Sequence, residues 1–307
     1  MVTTQAFADR LADAVLSKRS PLVVGLDPFI DRIPLELREQ AARDHEDPRA
    51  ASAAAAQSFF ESVLEAVAPY ACAVKPQSAF FEGFGPAGCV AWERVVQRAH
   101  ELDLLVIGDI KRGDIGSTAR AYADAHLTGP AACDAVTLNP YMGSDSVLPF
   151  LEVADQTSGG AFVLVRTSNP SAAELQDQTL AKGARVHEHV ADLVAGWGRE
   201  RVGTSGFSNV GAVVGATAPA ELTALRERLP HAWFLVPGVG AQGASAQDVA
   251  PAFDARGLGA VVNSSRGILY AFGDPKTRDW RSPIEQAARD LAAQLRDVST
   301  AQSSPPR

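Results

Sequence analysis

The stretch LLVIGDIKRGD (residues 104–114) joins a short apolar run to a group of charged residues directly after it. It contains one of eight apolar runs that alternate along the chain with helix-like segments. The runs cover residues 22–26, 71–74, 104–107, 135–138, 161–165, 210–214, 233–236 and 260–262. Continuous apolar runs are typical of strands that are covered on both faces. Eight strand–helix alternations predict an α/β protein with a parallel (β/α)8 barrel, whereas the alternative, a doubly wound open sheet, seldom uses eight such even units.

The segments between these runs predict helices. Apolar residues at helical spacing or good helix formers mark residues 52–67, 88–101, 118–127, 182–197, 219–229 and 245–253. Phe7, Leu11 and Val15 predict an amphipathic N-terminal helix before the first run. A long polar insertion (28–48, with a possible helix at 35–42) follows the first run, and a long loop (168–182) follows the fifth. We expect one barrel domain over residues 1–298 and a flexible tail over 299–307, which is rich in Ser, Pro and Gln.

The composition excludes several classes of protein. The chain of 307 residues is 46% hydrophobic and carries 28 Lys+Arg against 36 Asp+Glu, a net charge of −8. This balance excludes disorder throughout and argues against non-specific binding to nucleic acid. Cys72, Cys89 and Cys133 form no CxxC pair, which favours a reducing compartment over a disulfide framework. Because no run approaches the ~20 apolar residues that span a bilayer, and Asp9 and Asp13 do not suit a secretory signal, we expect a cytoplasmic protein without a membrane partner.

Polar residues stand where several of the predicted strands end. In a parallel barrel the catalytic groups come from the carboxyl ends of the strands and from the loops that follow them. The residues at or after the ends of the first, second, third, fifth, seventh and eighth runs are Asp27, Lys75, Asp109 with Lys111, Ser168, Gln242 and Arg266. Two of only five lysines in the chain are among them, and lysine is rarely buried without a partner. We therefore expect a site at this end of the barrel.

The residues after the third run suggest acid–base chemistry. Side chains two residues apart on a strand share a face, so Asp109 and Lys111 should be neighbours over the barrel mouth, with Ile110 turned into the wall. A carboxylate beside an ammonium group keeps it in the charged form that a proton donor requires. The break at Gly113 should redirect Asp114.

Two glycine-rich loops predict a phosphate site. VPGVGAQG (236–243) follows the seventh run and NSSRGI (263–268) follows the eighth. Glycines let backbone N–H groups approach an anion, a short helix opening near Ser265 would add its positive end, and Arg266 would supply a charged fork. Barrels often bind phosphate at these two loops.

The histidines and the common cofactor motifs indicate no further site. None of the six histidines ends a predicted strand, and His187 and His189, two apart on a helix, do not face one metal ion. No G-x-S-x-G elbow is present, and no G-x-G-x-x-G follows the first run. The sequence therefore predicts neither a metal nor a nicotinamide cofactor.

Seven stretches carry a family resemblance. They are VGLDP (24–28), VKPQSAFFE (74–82), DIKRGDIGSTA (109–119), TLNPYMG (137–143), VRTSNPS (165–171), VPGVGAQGA (236–244) and VNSSRGI (262–268). In these the chain resembles the orotidine 5′-phosphate decarboxylase family, in its longer type 2 bacterial branch. The resemblance implies a homodimeric TIM barrel that converts orotidine 5′-phosphate to uridine 5′-phosphate in de novo pyrimidine synthesis, without a metal or an organic cofactor.

The resemblance also implies roles for the charged residues. Lys111 would donate the proton to C6 of the pyrimidine, and Asp109 would lie beside the leaving carboxylate. Lys75 would be the other lysine of an alternating Lys-Asp-Lys-Asp network. Asp114 would reach across the dimer into the neighbouring site, with Thr118 one helical turn further on.

The substrate-binding roles follow from the same motifs. Asp27 would bind the ribose hydroxyls, Ser168 the pyrimidine amide edge, and Gln242 with Arg266 the phosphate. Asn169 stands where many members of the family carry histidine, and the eighth loop reads NSSRGI where the shorter branch has a glycine before its arginine.

Two other functions remain open at this point. One is a Mg²⁺-dependent sugar-phosphate aldolase or decarboxylase of the same barrel superfamily, which also uses D-x-K-x-x-D but would have Glu where Lys75 stands. The other is a non-catalytic barrel that binds a nucleotide, which the presence of both lysines and all three aspartates disfavours.

Overall fold

The computed structural model describes residues 5–216, 219–238 and 245–301. Eight parallel strands pair in sequence order, and β8 pairs with β1 to close a barrel, which confirms the predicted (β/α)8 fold. The strands are β1 Leu22–Leu26, β2 Ala73–Pro76, β3 Leu105–Arg112, β4 Ala135–Leu138, β5 Gly160–Arg166, β6 Ser208–Val214, β7 Ala232–Pro237 and β8 Ala260–Ser264.

Helices connect the strands and surround the barrel. The helices before β3 are α1 Phe7–Lys18, α2 Leu35–Asp44, α3 Pro48–Val67, α4 Ser78–Gly83 and α5 Pro86–Glu101. The helices after β3 are α6 Gly116–Leu127, α7 Ser144–Thr157, α8 Ala173–Gln176, α9 Val186–Gly198, α10 Pro219–Arg228, α11 Arg266–Leu269 and α12 Arg281–Ala301. Short 3-10 segments occur at Ile30–Arg32, Pro170–Ala172, Arg199–Arg201 and Gln247–Ala252.

Strand side chains alternate between two separate cores. On β1, Leu22, Val24 and Leu26 face the surrounding helices, whereas Val23 faces the barrel interior. The same alternation on β3 turns Ile110 outward and Ile107 inward. Because side chains on a strand alternate, Asp109 lies on the inner face with Ile107, at the carboxyl end of the strand.

Helix α1 closes the amino-terminal end of the barrel, as its amphipathic pattern suggests. Phe7 packs edge-on against Phe162 of β5 at 5.9 Å between ring centres, and the indole N–H of Trp233 donates to the Ala8 carbonyl at 3.3 Å. A Cβ at Gly160 would stand 2.3 Å from the Phe7 ring, so this close approach requires glycine. In parallel barrels the functional site lies at the opposite, carboxyl-terminal end.

Some predicted helices differ in extent from those observed. The helix expected inside the insertion is present as α2. Residues 245–253 form only a 3-10 segment, in which Pro251 has no N–H to donate to a helix. Helix α9 begins at Val186, after Gly183 adopts φ +90°, and the Glu188 carboxylate accepts from the Arg185 N–H at its start.

The C-terminal helix extends beyond the domain boundary expected from the sequence. Helix α12 continues to Ala301, whereas the flexible tail was expected from residue 299; residues 302–307 lie outside the described part of the chain. Across the described residues, no helix is long and apolar enough to cross a membrane.

Candidate active site

A cavity of about 540 Å³ opens at the carboxyl ends of the strands, a volume typical of small-molecule sites. Its floor is the uppermost layer of inward-facing side chains, and the two halves of this layer differ in chemistry. The charged or polar half is Lys75, Asp109, Lys111, Thr137 and Asn263; the apolar half is Leu164, Val213 and Leu235. Such a floor can hold a ligand that carries charge on one side and an apolar face on the other.

Lys75 and Asp109 form a buried ion pair on neighbouring strands. The Lys75 Nζ atom lies 2.5 Å from Asp109 Oδ2, and both side chains are less than one-tenth exposed. Burial alone would lower the pKa of Lys75, but the charges of Asp109 and Asp27 outweigh it and raise that pKa above its ordinary value. Lys75 therefore stays protonated.

Lys111 contacts the other oxygen of the same carboxylate. Its Nζ atom lies 2.5 Å from Asp109 Oδ1, and its side chain is 45% exposed toward the cavity mouth. This confirms that Asp109 and Lys111 share a side of β3. The backbone is not a regular strand, however, because Lys111 adopts φ +44°. Left-handed backbone costs a non-glycine residue about 1–2 kcal/mol, so the surrounding contacts must hold it.

Asp109 receives four donors, which fully occupy its two oxygens. Oδ1 accepts from Lys111 and from the Thr137 hydroxyl at 2.9 Å, and Oδ2 accepts from Lys75 and from Gln77 Nε2 at 3.0 Å. Burial by itself would raise the pKa of Asp109, but the two ammonium groups hold it well below its usual range. At neutral pH an ionised carboxylate is thus fixed between two ammonium groups.

Asp27 lies at the end of β1, beside the loop that follows β8. Its Oδ2 atom accepts from the Ser265 hydroxyl at 2.6 Å, and its carbonyl accepts from the Tyr270 hydroxyl at 2.7 Å. The Tyr270 oxygen also accepts from the Phe29 N–H at 2.9 Å, which fixes the start of the insertion. Asp27 is therefore held next to Ser265, the residue that directly precedes Arg266.

Ser168 lies at the cavity rim in the loop after β5. Gln176 fastens this loop by accepting from the Thr167 N–H at 2.9 Å and donating to the Thr167 hydroxyl at 2.7 Å. Arg166 adds ion pairs to Asp177 at 3.0 Å and to Glu221 of α10 at 2.8 Å. The loop is thus built against the barrel wall.

The remaining predicted residues lie outside the charged cluster. Arg266 starts the single-turn helix α11 and is exposed; none of the described residues forms an ion pair with it. The Asp114 carboxylate accepts only from the Ile115 N–H, at 2.7 Å, and within the described ranges it does not reach Lys111. Thr118 is exposed on the first turn of α6. Gln242 lies outside the described residues.

Sequence reasoning missed four residues that support this cluster, namely Gln77, Thr137, Ser265 and Tyr270. Thr137 did carry a signal, because a hydroxyl stands between Val136 and Leu138 in an otherwise apolar strand. Gln77 follows Lys75 by two residues, and Ser265 adjoins Arg266. Tyr270 gave no signal in the sequence.

A larger cavity, of about 950 Å³, opens at the opposite end of the barrel. Arg10, His100 and Asp134 line it, and Asp134 binds the Arg10 guanidinium and the His100 ring there and accepts from the Val106 N–H. These bonds fasten α1 and α5 to the start of β3, so the cluster is structural. The described residues include no group of three or more His, Cys, Asp or Glu placed to hold a metal ion.

A closed (β/α)8 barrel with a lysine–aspartate–lysine cluster at the carboxyl ends of its strands has the architecture of a barrel enzyme, and the cluster has groups suited to acid–base chemistry. Comparison with known proteins makes the assignment specific. Residues 20–278 match the family described as Orotidine 5'-phosphate decarboxylase / HUMPS family, and the chain belongs to that family.

Similar proteins agree with this assignment over nearly the whole chain. The chain is 44% identical to orotidine 5'-phosphate decarboxylase of Rhodopirellula baltica over 302 residues, which covers 94% of this chain and 99% of that relative. Identity to the protein of the same name from Deinococcus radiodurans is 42%, over 96% of this chain and 97% of the relative. The solved structure of Leishmania donovani OMP decarboxylase is similar with a TM-score of 0.74 and 34% identity, over 96% of this chain and 99% of that one.

Proposed function

We propose that this protein is a carboxy-lyase that converts orotidine 5′-phosphate to uridine 5′-phosphate and CO2 in de novo pyrimidine synthesis. The single observation that carries the proposal is the Lys75–Asp109–Lys111 cluster at the mouth of the barrel. Membership of the family and the names of its relatives supply the substrate.

The chemistry that the cluster suits is the stabilisation and protonation of a carbanion. The bond between C6 of the pyrimidine and its carboxylate breaks, CO2 leaves, and the electron pair stays on C6. The ammonium of Lys111 stabilises that charge and then gives C6 a proton, after which the neutral amine regains a proton from water. Asp109 holds the Lys111 ammonium group in place before the reaction and stands where the departing carboxylate would be repelled.

The remaining residues are assigned to substrate binding. Asp27 takes the ribose hydroxyls, which would compete with Ser265 for its carboxylate. Ser168 takes the amide edge of the pyrimidine, and Gln242 with Arg266 takes the phosphate. Phosphate contacts lie away from the reacting carbon, but their binding energy can align the substrate for the reaction.

We also propose a homodimer in which Asp114 and Thr118 of one subunit complete the site of the other. Within one chain the ion-paired cluster has two ammonium groups and one carboxylate, with Asp27 outside ion-pair distance, so a second paired carboxylate would make it neutral. Asp114 has no cation partner among the described residues. Its neighbour in sequence, Ile115, is 48% exposed, and Tyr141 and Met142, which follow β4, are 80% and 48% exposed. An apolar surface of this kind suits a subunit interface.

A cytoplasmic location is proposed for the same protein. Its three cysteines are free thiols, and Cys72 and Cys133 are buried. Unpaired thiols suit a reducing compartment.

The contacts that Asp109 already makes disfavour the Mg²⁺-dependent alternative. Mg²⁺ binds through free carboxylate oxygens, whereas both oxygens of Asp109 already accept from ammonium groups. Lys75 stands where that chemistry would have a second carboxylate.

The decisive experiment is to mix the purified protein with orotidine 5′-phosphate and follow the loss of its absorbance, with CO2 release as a second readout. We expect turnover that EDTA does not reduce. Absence of turnover by the folded protein would refute the proposed function, and turnover abolished by EDTA and restored by Mg²⁺ would favour the alternative.

A further inference from the structure

Thr137 is a buried hydroxyl residue that contacts both halves of the Asp109–Lys111 pair. It lies on the inner face of β4 and is 1% exposed. Its hydroxyl donates to Asp109 Oδ1 at 2.9 Å and accepts from the Lys111 backbone N–H at 3.0 Å. One side chain thus fixes the carboxylate and the backbone of the lysine together.

An irregularity between β3 and β4 explains why a side chain has this role. Gly108 pairs with Val136 and Arg112 pairs with Leu138, so three residues of β3 face the single residue Thr137. Such a bulge disrupts the backbone ladder locally. The Lys111 N–H therefore finds its acceptor in the Thr137 side chain.

The left-handed backbone at Lys111 makes this bond consequential. With φ +44°, Lys111 has a backbone conformation that residues other than glycine rarely adopt, and that conformation directs Nζ toward Asp109. Without the hydroxyl, the N–H would lose its acceptor and Asp109 Oδ1 would keep only the ammonium. Both changes would weaken the contacts that hold the Lys111 backbone and its ammonium group in place.

We propose that Thr137 is a positioning residue, whose hydroxyl holds the Lys111 backbone and the Asp109 carboxylate so that the ammonium stays aimed at the reacting carbon. This inference rests on the proposed decarboxylation. Thr137 itself needs no contact with the reacting atoms, because it acts through its two neighbours.

The test compares Thr137→Val, which keeps the shape and removes the hydroxyl, with Thr137→Ser, which keeps the hydroxyl. Ser208→Ala is the matched control, because Ser208 is also buried and also donates one hydrogen bond and accepts one, at the opposite end of the barrel. We expect Thr137→Val to lower kcat about 10²-fold with little change in KM, as a displaced catalytic group does. We expect Thr137→Ser to stay near wild type, and Ser208→Ala to lose stability without losing kcat.

A second readout is independent of turnover. In the NMR spectrum of ¹⁵N-labelled protein, the Lys111 amide should exchange with solvent faster in Thr137→Val than in the wild type or in Thr137→Ser. Equal kcat in Thr137→Val and wild type, or a loss of kcat in Thr137→Ser as large as in Thr137→Val, would overturn the inference. If the wild type itself fails to decarboxylate, the proposed function fails, and unchanged exchange at Lys111 would separately show that the hydroxyl does not hold this backbone.

Discussion

Lys75 and Asp109 form an ion pair from which water is nearly excluded, with 2.5 Å between Nζ and Oδ2. Removing one partner of a buried pair leaves an unpaired charge, which is far more costly than losing an exposed pair. The same pair therefore supports the charge distribution of the site and the stability of the barrel. The free energy of unfolding therefore reports on both charges.

We expect Asp109→Asn to lower the free energy of unfolding by about 3–5 kcal/mol at pH 7. The raised pKa of Lys75 and the lowered pKa of Asp109 mean that the pair contributes fully between the ordinary pKa values of the two groups. Its contribution is lost as the pH falls through the pKa of folded Asp109 or rises through that of folded Lys75. In the variant, Lys75 can shed its unpaired charge as the pH rises, so the deficit should shrink from pH 7 toward pH 10. Urea unfolding at both pH values measures it.

Asp124→Asn is the control for this measurement. Asp124 pairs with Arg120 one helical turn away, and both side chains are more than 40% exposed. Such a pair contributes about 0.3–0.5 kcal/mol. A deficit for Asp109→Asn no larger than that of the control, or one that does not change with pH, would contradict the role given to the buried pair.

Lys111→Ala should leave the fold intact and abolish measurable turnover. The side chain is half exposed, and among the described residues it makes an ion pair with Asp109 alone, so its loss creates no large cavity. Loss of the proton donor alone costs about 10²–10⁴-fold in rate, and loss of the adjacent charge adds to this. Circular dichroism checks the fold and the absorbance assay checks turnover, with the exposed Lys276→Ala as control. Substantial residual decarboxylation would remove Lys111 from the mechanism.

Subunits carrying Lys111→Ala and Asp114→Ala should complement each other. Each variant alone should be inactive, but a mixed dimer has one site with an intact Lys111 and an intact Asp114 from the partner. Random exchange into symmetric dimers gives about a quarter of the wild-type activity. Native mass spectrometry verifies the exchange, and exchange without recovery would mean that the site is not shared.

Arg266→Ala should weaken nucleotide binding more than it slows the chemical step. The guanidinium is exposed on a single-turn helix whose Ile268 and Leu269 are buried, so the helix should persist without it. We expect a higher KM, and a smaller loss for a substrate analogue without the phosphate. Unchanged KM and kcat would contradict the phosphate assignment.

The fold could be predicted from the sequence because each strand has one face in the barrel interior and the other against the helices. With both faces buried, most strands appear in the sequence as continuous apolar runs. The runs at residues 22–26 and 135–138 coincide with β1 and β4. β3 extends five residues beyond its predicted end, to Arg112. The apolar run did not predict this extension, because the inward-facing residues of β3 become polar where the strand reaches the cavity. Helix α7 was not predicted; it contains Pro149, which normally interrupts a helical pattern.

The candidate site was predicted less completely than the fold. Strand ends identified Lys75, Asp109 and Lys111 because charged residues stand out against apolar runs. The sequence did not predict the bulge at Lys111, because its left-handed backbone occurs at a lysine and not at a glycine. The contacts of Ser265 and Tyr270 with Asp27 join residues more than 230 positions apart, and a sequence pattern does not report such distances.

Helix α1 has a practical consequence for handling the protein. The matched family region spans residues 20–278, yet Phe7 and Leu11 fill the base of the cylinder, and Ile284 and Leu295 of α12 lie in the outer core. A fragment trimmed to residues 20–278 would expose both surfaces to water, and we expect it to aggregate on expression. Crystallisation or tagging strategies should therefore keep both flanking helices, although neither of them lines the candidate cavity.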